Sequence, residues 1–325
     1  MAYSPTLLWK MAVNHMKIGN KWEIRGTFDG KIDQKWEKLA FFTILEYDNK
    51  TPKTRGMIGP LFRRGIEMNT RTGSLSSYGS RRPGLTGNQL KVLGIVAILI
   101  DNMGAVVIQG GILHAADRAV YQAVIATPSG HIWMIAGQVC RYLGRLAFPI
   151  FAFLVAEEFV RTRDRGRYAL RMLICALISE VPFDLAIYGR VFYPYYQNML
   201  FTLLIGIMVI FVMEYTRKLG IQLAALAGGC ALSWILQTDY NVIGVLLIAS
   251  MYWFRHNDIA QLAVGVVLCA AESVSYYCVS ALAYVPIVLY NGRRGAFQLK
   301  YLFYVFYPVH LLVLYGLAHG LQKGV

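Results

Sequence analysis

Apolar positions fall into two regimes along this chain. Residues 1–89 contain no apolar run of membrane length; short pieces such as 39–45 occur, but Gly, Lys, Asn and Arg interrupt them. From Leu90 onward, long apolar runs follow one another with short breaks. These runs predict membrane helices over residues 90–112, 133–160, 168–188, 198–216, 219–237, 241–254, 259–276, 278–290 and 299–321. Several have the ~20 residues needed to cross a hydrocarbon core. The runs 241–254 and 278–290 are short, so each reads as tilted, re-entrant or longer than drawn, and eight, nine or ten helices fit the pattern. The expected fold is therefore all-α: a polytopic transmembrane bundle of about nine helices over 90–325, preceded by a polar basic extension over 1–89. Residues 70–87, rich in Ser, Gly, Arg and Thr, read as a linker. No basic start followed by an apolar core and a small-residue cleavage site marks a signal peptide. Three readings of 1–89 stay open: a small fold, a disordered basic tail, or a start codon placed too early, with Met57 and Met68 as alternatives.

Composition agrees. Hydrophobic residues make up 56% of the 325 and charged residues 15%, with a mean hydropathy of +0.45. Globular chains are nearer a quarter charged. A disordered protein, a soluble coiled coil and an ordinary cytosolic enzyme are excluded, and membrane lipids are the implied surroundings. The five cysteines, Cys140, Cys175, Cys230, Cys269 and Cys278, all fall in apolar stretches and form no C-x-x-C pair. They read as small buried hydrophobes, with no disulfide framework and no metal signature.

Charge adds an orientation. The net charge is +14; residues 1–89 carry 15 Lys and Arg against 7 Asp and Glu, and the remainder 17 against 11. With nine helices, the basic clusters at Arg81 and Arg82, at 161–167, at Arg217 and Lys218, at Arg255 and at Arg293 and Arg294 all fall on one side. Residues 113–132, 189–197 and 238–240 take the other. Because short basic loops stay in the cytoplasm, the expected topology is N-terminus inside and C-terminus outside. No nucleic-acid module accompanies the positive charge, so no nucleic-acid partner is expected.

Ionisable groups at bilayer depth are expensive and commonly functional. The first predicted helix carries Lys91 at its edge and Asp101 and Asn102 near its middle; Lys91 and Asn102 share a face about 16 Å apart. The second carries Arg141 and Arg145 one turn apart, followed by Pro149. The third carries Glu180 and Asp184 around Pro182, and the fourth begins with Asn198 and Thr202. The last carries Tyr307, Pro308 and His310. Two readings fit: an internal lattice in which Arg145 pairs with Glu180 or Asp184, with Arg141 and Asn198 in the same polar cluster, or a wet cavity that admits a charged substrate.

The stretches LKVLGIVAILIDNMGAV (90–106), RYLGRLAFPIFAFLVAEEFVRTRDRGRYALRMLICALISEVPFDLA (141–186), QNMLFTLLIGI (197–207), DYNVIGVLLI (239–248), VLYNGRRG (288–295) and YLFYVFYPVHLLVLYGL (301–317) resemble, in order, the TraX family of conjugal-transfer membrane proteins. GR-AFPIFAF, SE-PFDLA and FYPVHL are its long and specific segments. The resemblance covers nearly all of the apolar region and none of residues 1–89. It implies an integral-membrane acyltransferase fold, acetyl-CoA as donor and the amino terminus of a processed pilin as acceptor. The wider superfamily carries a basic residue upstream of a catalytic His in the first helix. Lys91 fits the basic position, whereas Asn102, in IDN, stands where the family pattern reads I-D-H. A carboxamide cannot take up a proton near neutral pH.

On that resemblance, Asp101 serves as base or base orienter and His310 as a substitute base. Arg145 stabilises an oxyanion or binds a carboxylate, and Lys91, Arg161, Arg163, Arg165 and Arg167 hold the CoA phosphates. The same arginine run also reads as a solvated topology anchor. Two other functions remain open at this point: a catalytically silent family member, suggested by Asn102, and a transporter or flippase, which would show an internal repeat that is not visible here.

Overall fold

In the computed structural model, residues 84–295 and 302–323 are described. The extension 1–89 therefore lies outside the described residues up to position 83, as does the start of the run 299–321. The described residues are helical with no strand; two isolated bridges, Leu85 with Tyr290 and Gln197 with Thr238, tie loops together.

Helix α1 spans Gly87–Asn102, three residues earlier than the apolar run, because Thr86 and Gln89 close a capping box over its first turn. A π-helical segment, Met103–Ile112, continues it directly after Asn102. π-turns are rare, and they re-aim side chains at the point where they begin. Residues 113–132 are not a plain loop: they hold the amphipathic helix α2, Arg118–Ile125, capped by Asp117.

The predicted helix 133–160 is two, α3 (Pro128–Gly144) and α4 (Ala147–Arg161). Pro149 explains the break. It has no N–H for the carbonyl of Arg145, four residues back, so the helical ladder is interrupted beside Gly144. Next come α5 (Arg165–Tyr188), α6 (Met199–Tyr215), α7 (Leu219–Ile235), α8 (Asn241–Trp253) and α9 (Asp258–Glu272). The run 278–290 does not form one membrane-length helix. It is a 3-10 segment, Val279–Ala283, followed by the short α10, Tyr284–Val288. Tyr277 and Cys278, both with positive φ, make the turn after α9 that the sequence leaves unmarked. Helix α11 spans Leu302–Lys323. Gly87–Ile112, Pro128–Arg161 and Leu302–Gln322 are long and apolar enough to cross a membrane by themselves.

Helices α4, α6 and α8 form the buried centre. Phe148, Phe159, Leu200, Leu203, Ile207, Ile210, Ile248 and Met251 are almost wholly enclosed. Surrounding helices turn apolar side chains outward. On α5, Leu170, Leu173, Ile174, Leu177, Ile178 and Val181 are exposed in a stripe of helical period, opposite buried Tyr168, Met172, Cys175 and Ala176. Such an exposed apolar stripe is lipid-facing surface; in water it would be an aggregation hazard.

The basic segments gather at one end. Lys91 pairs with Glu158, Arg161 with Glu157 and the Gly292 carbonyl, and Arg165 with Glu214, which also faces Arg255. A groove of about 410 Å³ opens at this end between Glu214, Arg217, Gln222, Tyr252 and Arg255.

Candidate functional site

The short helices start or stop where the long ones carry their polar residues. Helices α6 to α9 have 17, 17, 13 and 15 residues, so each rises about 20–26 Å, less than a full hydrocarbon core. Asn198 caps α6, Asp239 and Tyr240 precede α8, and Glu272 ends α9. Glu272 meets Arg145, Asn198 meets Glu180 on α5, and Asp239 lies near Arg145, Arg141 and Asp101, while Asn102 at the α1–π junction meets His310 on α11. The result is one polar layer. From Arg145 the chain runs 16 residues down α4, about 24 Å, to the basic end.

Asp101 and Arg141 form the first contact, with Arg141 Nη1 2.6 Å from Asp101 Oδ2. They meet because α1 and α3 approach closely: a Cβ on Gly144 would lie 2.1 Å from the Asp101 Cβ, and one on Gly104 2.7 Å from the Cys140 Cβ. Asp101 Oδ1 is buried without a hydrogen bond.

Arg145 does not pair with Glu180 or Asp184. Its Nη1 lies 3.4 Å from Glu272 Oε1, and its guanidinium sits 4.5 Å from the centroid of the Tyr276 ring. Arg145 caps the end of α3, its N–H still bonded to the Arg141 carbonyl, and lies beside the end of α9. Glu272 also accepts from the Ser280 hydroxyl, which holds the turn after α9. Arg141 likewise belongs to Asp101, so the expected single cluster of Arg141, Glu180, Asp184 and Asn198 is divided. Asn198 donates to Glu180 and to the Ala176 carbonyl, while Asp184 Oδ2 accepts from the Tyr193 backbone at 2.7 Å.

Asn102 and His310 meet directly, Nδ2 to Nε2 at 2.9 Å, and both are buried. His310 Nδ1 lies 2.9 Å from the Phe306 carbonyl. A carbonyl only accepts, so Nδ1 carries the proton and the Nε2 lone pair accepts from the Asn102 amide. The Phe306 ring stacks on the imidazole at 4.4 Å. Pro308 leaves the Tyr304 carbonyl without its helical donor, and the Cys175 thiol donates to it at 3.6 Å, joining α11 to α5.

Asp239, Tyr196, Tyr240, Glu272 and Tyr276 belong to this layer and were not singled out from the sequence. Tyr196 donates to Asp239 Oδ1 at 3.0 Å, and Tyr240 stacks on Phe148 at 3.6 Å. Burial pushes the Asp239 carboxyl above its ordinary range, against the Arg145 charge and the Tyr196 hydroxyl, which pull it down. An ionisable residue within an apolar run was the signal for Asp101; applied to 259–276, it also finds Glu272. Asp239 had no such signal, because it lies in a loop.

The five residues assigned to CoA phosphates share the basic end but not one use. Lys91, Arg161 and Arg165 hold carboxylates from other turns or helices, and Arg167 pairs with Asp164, which caps its own helix. Arg163 is exposed on the α4–α5 loop. Of the five, Arg163 and Arg167 are the most exposed, and Arg163 lies on a loop.

A bundle with lipid-facing apolar helices and an internal layer of charged and hydrogen-bonding groups defines a polytopic membrane protein built around a polar site. The chain belongs to the TraX protein family, whose signature matches residues 86–318. Among curated proteins it is similar to the "Probable fimbrial assembly protein FimC, serogroup H1" of Dichelobacter nodosus, at 25% identity over 268 residues, covering 75% of this chain and 100% of the relative. No solved structure matches.

Proposed function

We propose that this protein is a membrane acyltransferase that moves an acetyl group from a CoA thioester to an amine on an exported pilus subunit. Family membership and the likeness to a fimbrial assembly protein support the pilus connection. The observation that carries the chemistry is the contact between Asn102 and His310. It returns an imidazole to the place where the family pattern has one, supplied by α11 instead of α1.

The acceptor ammonium first sheds one proton. Its nitrogen then attacks the thioester carbonyl carbon, and the C–S bond breaks. The proton lost as the amide forms passes through His310 Nε2 to the leaving sulfur, so ammonium and thioester give amide, thiol and one free proton. Phe306 holds the tautomer that keeps Nε2 basic. Asn102 Nδ2, freed from Nε2 when substrate enters, is a donor for the developing oxyanion. Asp101, fixed by Arg141, favours positive charge at the neighbouring position. Arg163 and Arg167 receive the CoA phosphates from the cytoplasm. This orientation rests on the basic segments gathered at one end, and it puts the N-terminus inside and the C-terminus outside.

The test is turnover of labelled acetyl-CoA by membranes carrying single substitutions. His310→Ala is expected to lower transfer by about 10²–10⁴-fold, while Asn102→His changes it little because an imidazole is already present. Full activity in His310→Ala would place the base elsewhere.

A further inference from the structure

The groove of about 410 Å³ at the basic end takes no part in the polar layer. It lies where the end of α6, the start of α7 and the end of α8 come together. Its walls are held by the chain itself. Gln222 Nε2 donates to the Met213 and Thr216 carbonyls at 3.0 and 2.7 Å, closing the last turn of α6 onto α7. Tyr252, near the end of α8, donates its hydroxyl to Glu214. The volume falls in the ~300–1,000 Å³ range of small-molecule sites.

Positive charge prevails in the groove. Glu214 is the carboxylate in its lining, and both of its oxygens are engaged: Oε1 accepts from Arg165 Nη2 at 3.0 Å and Oε2 from Tyr252. Arg255 stands farther off, 4.0 Å from Oε2, with its guanidinium 4.1 Å from the centroid of the Tyr252 ring. Its Nη1 donates to the Tyr252 carbonyl at 2.9 Å, and its other N–H groups make no hydrogen bond among the described residues. Arg217 is exposed and enters no ion pair among the described residues. Two guanidinium groups bordering one groove form a donor set that suits a phosphate.

The rim selects among phosphates. Tyr215, Leu219, Ile221 and Trp253 are exposed beside the charged lining. Tyr and Trp concentrate at membrane–water interfaces, where the ring meets acyl chains and its polar edge meets headgroups. A soluble phosphate compound has no use for such a rim, whereas a phospholipid lays its chains against it. Basic pockets between membrane helices receive anionic headgroups in the same way. We infer that the groove between α6, α7 and α8 binds the phosphate of an anionic phospholipid from the leaflet at the basic end. Arg217 and Arg255 hold the phosphate, and Trp253 lies beside the acyl chains. The site is separate from Arg163 and Arg167 and does not depend on the acyltransferase reading.

The experiment is native mass spectrometry of the purified full chain in a neutral detergent. The chain is titrated with dioctanoyl phosphatidylglycerol and, separately, with dioctanoyl phosphatidylcholine. The anionic lipid is expected to bind about tenfold tighter or more, because each of two basic side chains at a membrane surface is worth about fivefold. Arg217→Gln alone, at an exposed position, should weaken phosphatidylglycerol about fivefold, and Arg217→Gln/Arg255→Gln should abolish the preference. Arg190→Gln, which removes an exposed charge from the 189–197 loop at the other end, should keep it. Equal affinity of the unaltered chain for the two lipids overturns the site, and this arm needs no variant to fold. So does a preference that persists in a monodisperse Arg217→Gln/Arg255→Gln protein, or one that falls as far in Arg190→Gln as in Arg217→Gln. Inorganic phosphate or coenzyme A at the lipid's own concentration should leave the lipid bound. Displacement by either assigns the groove to a soluble phosphate and overturns the lipid site.

Discussion

Arg145→Leu strands Glu272 within the bundle. In the intact protein the charged atoms are 3.4 Å apart, and the two side chains are 12% and 15% exposed. Two unit charges at that distance attract by ~5 kcal/mol at an effective dielectric of 20. Desolvating both groups cancels much of this, so the pair adds little net stability, while losing one partner costs about 3–5 kcal/mol. Glu272→Gln costs less, because Arg145 keeps the face of Tyr276. Removing both charges together, in Arg145→Leu/Glu272→Gln, should recover about 2–3 kcal/mol of the summed single losses. The assay is reversible unfolding in mixed micelles by SDS titration, run as a double-mutant cycle. Arg145→Leu/Glu180→Gln provides the control and should be additive within about 0.5 kcal/mol. Coupling to Glu180 as large as that to Glu272 would refute the assignment, and so would additive behaviour in the Glu272 cycle.

Other outcomes follow from particular contacts. Gly144→Ala should destabilise by about 1–3 kcal/mol, because its new methyl meets the Asp101 side chain at 2.1 Å; an unchanged thermal midpoint would contradict the close approach of α1 and α3. Thr86→Ala should cost about 1 kcal/mol through loss of the capping box. A chain starting at Gly84 should insert as the full chain does, whereas one starting at Leu90 should be less stable, since it lacks the cap and the Leu85–Tyr290 bridge; failed insertion of the longer version would show that residues 1–83 support the bundle. In a background without the five native cysteines, Ile125→Cys should react with an impermeant thiol reagent on intact cells and Arg165→Cys should not. The reverse pattern would invert the orientation.

Much of the architecture was legible because a bilayer imposes one rule on every segment: a crossing stretch must be apolar and must satisfy its own backbone, hence helical. That rule places α1 with its π-helical continuation, α5, α6, α7, α8 and α11 within a few residues of their observed limits. It fails where a proline or a left-handed turn falls inside an apolar run. Pro149 divides 133–160 into α3 and α4, and α9 stops at Glu272, ahead of a 3-10 turn and the positive-φ pair Tyr277 and Cys278. Hydropathy does not register either event.

The polar residues were legible singly, and their partners were not. Asp101, Arg141, Arg145, Glu180 and His310 stand out because each is costly in an apolar run. Spacing along one helix says which residues share a face, but it says nothing about which neighbour that face meets. Arg145, at the last turn of α3, meets Glu272 at the end of a helix more than a hundred residues on, and Asp239 enters from a loop that no periodicity describes. Composition and hydropathy determined the class of this protein, a polytopic helical membrane bundle, since those quantities sum over local preferences. Tertiary packing alone decided that the imidazole of His310, 208 positions away, meets Asn102. A contact between side chains on two helices depends on the lateral order and rotation of the helices, set by how all their faces pack together.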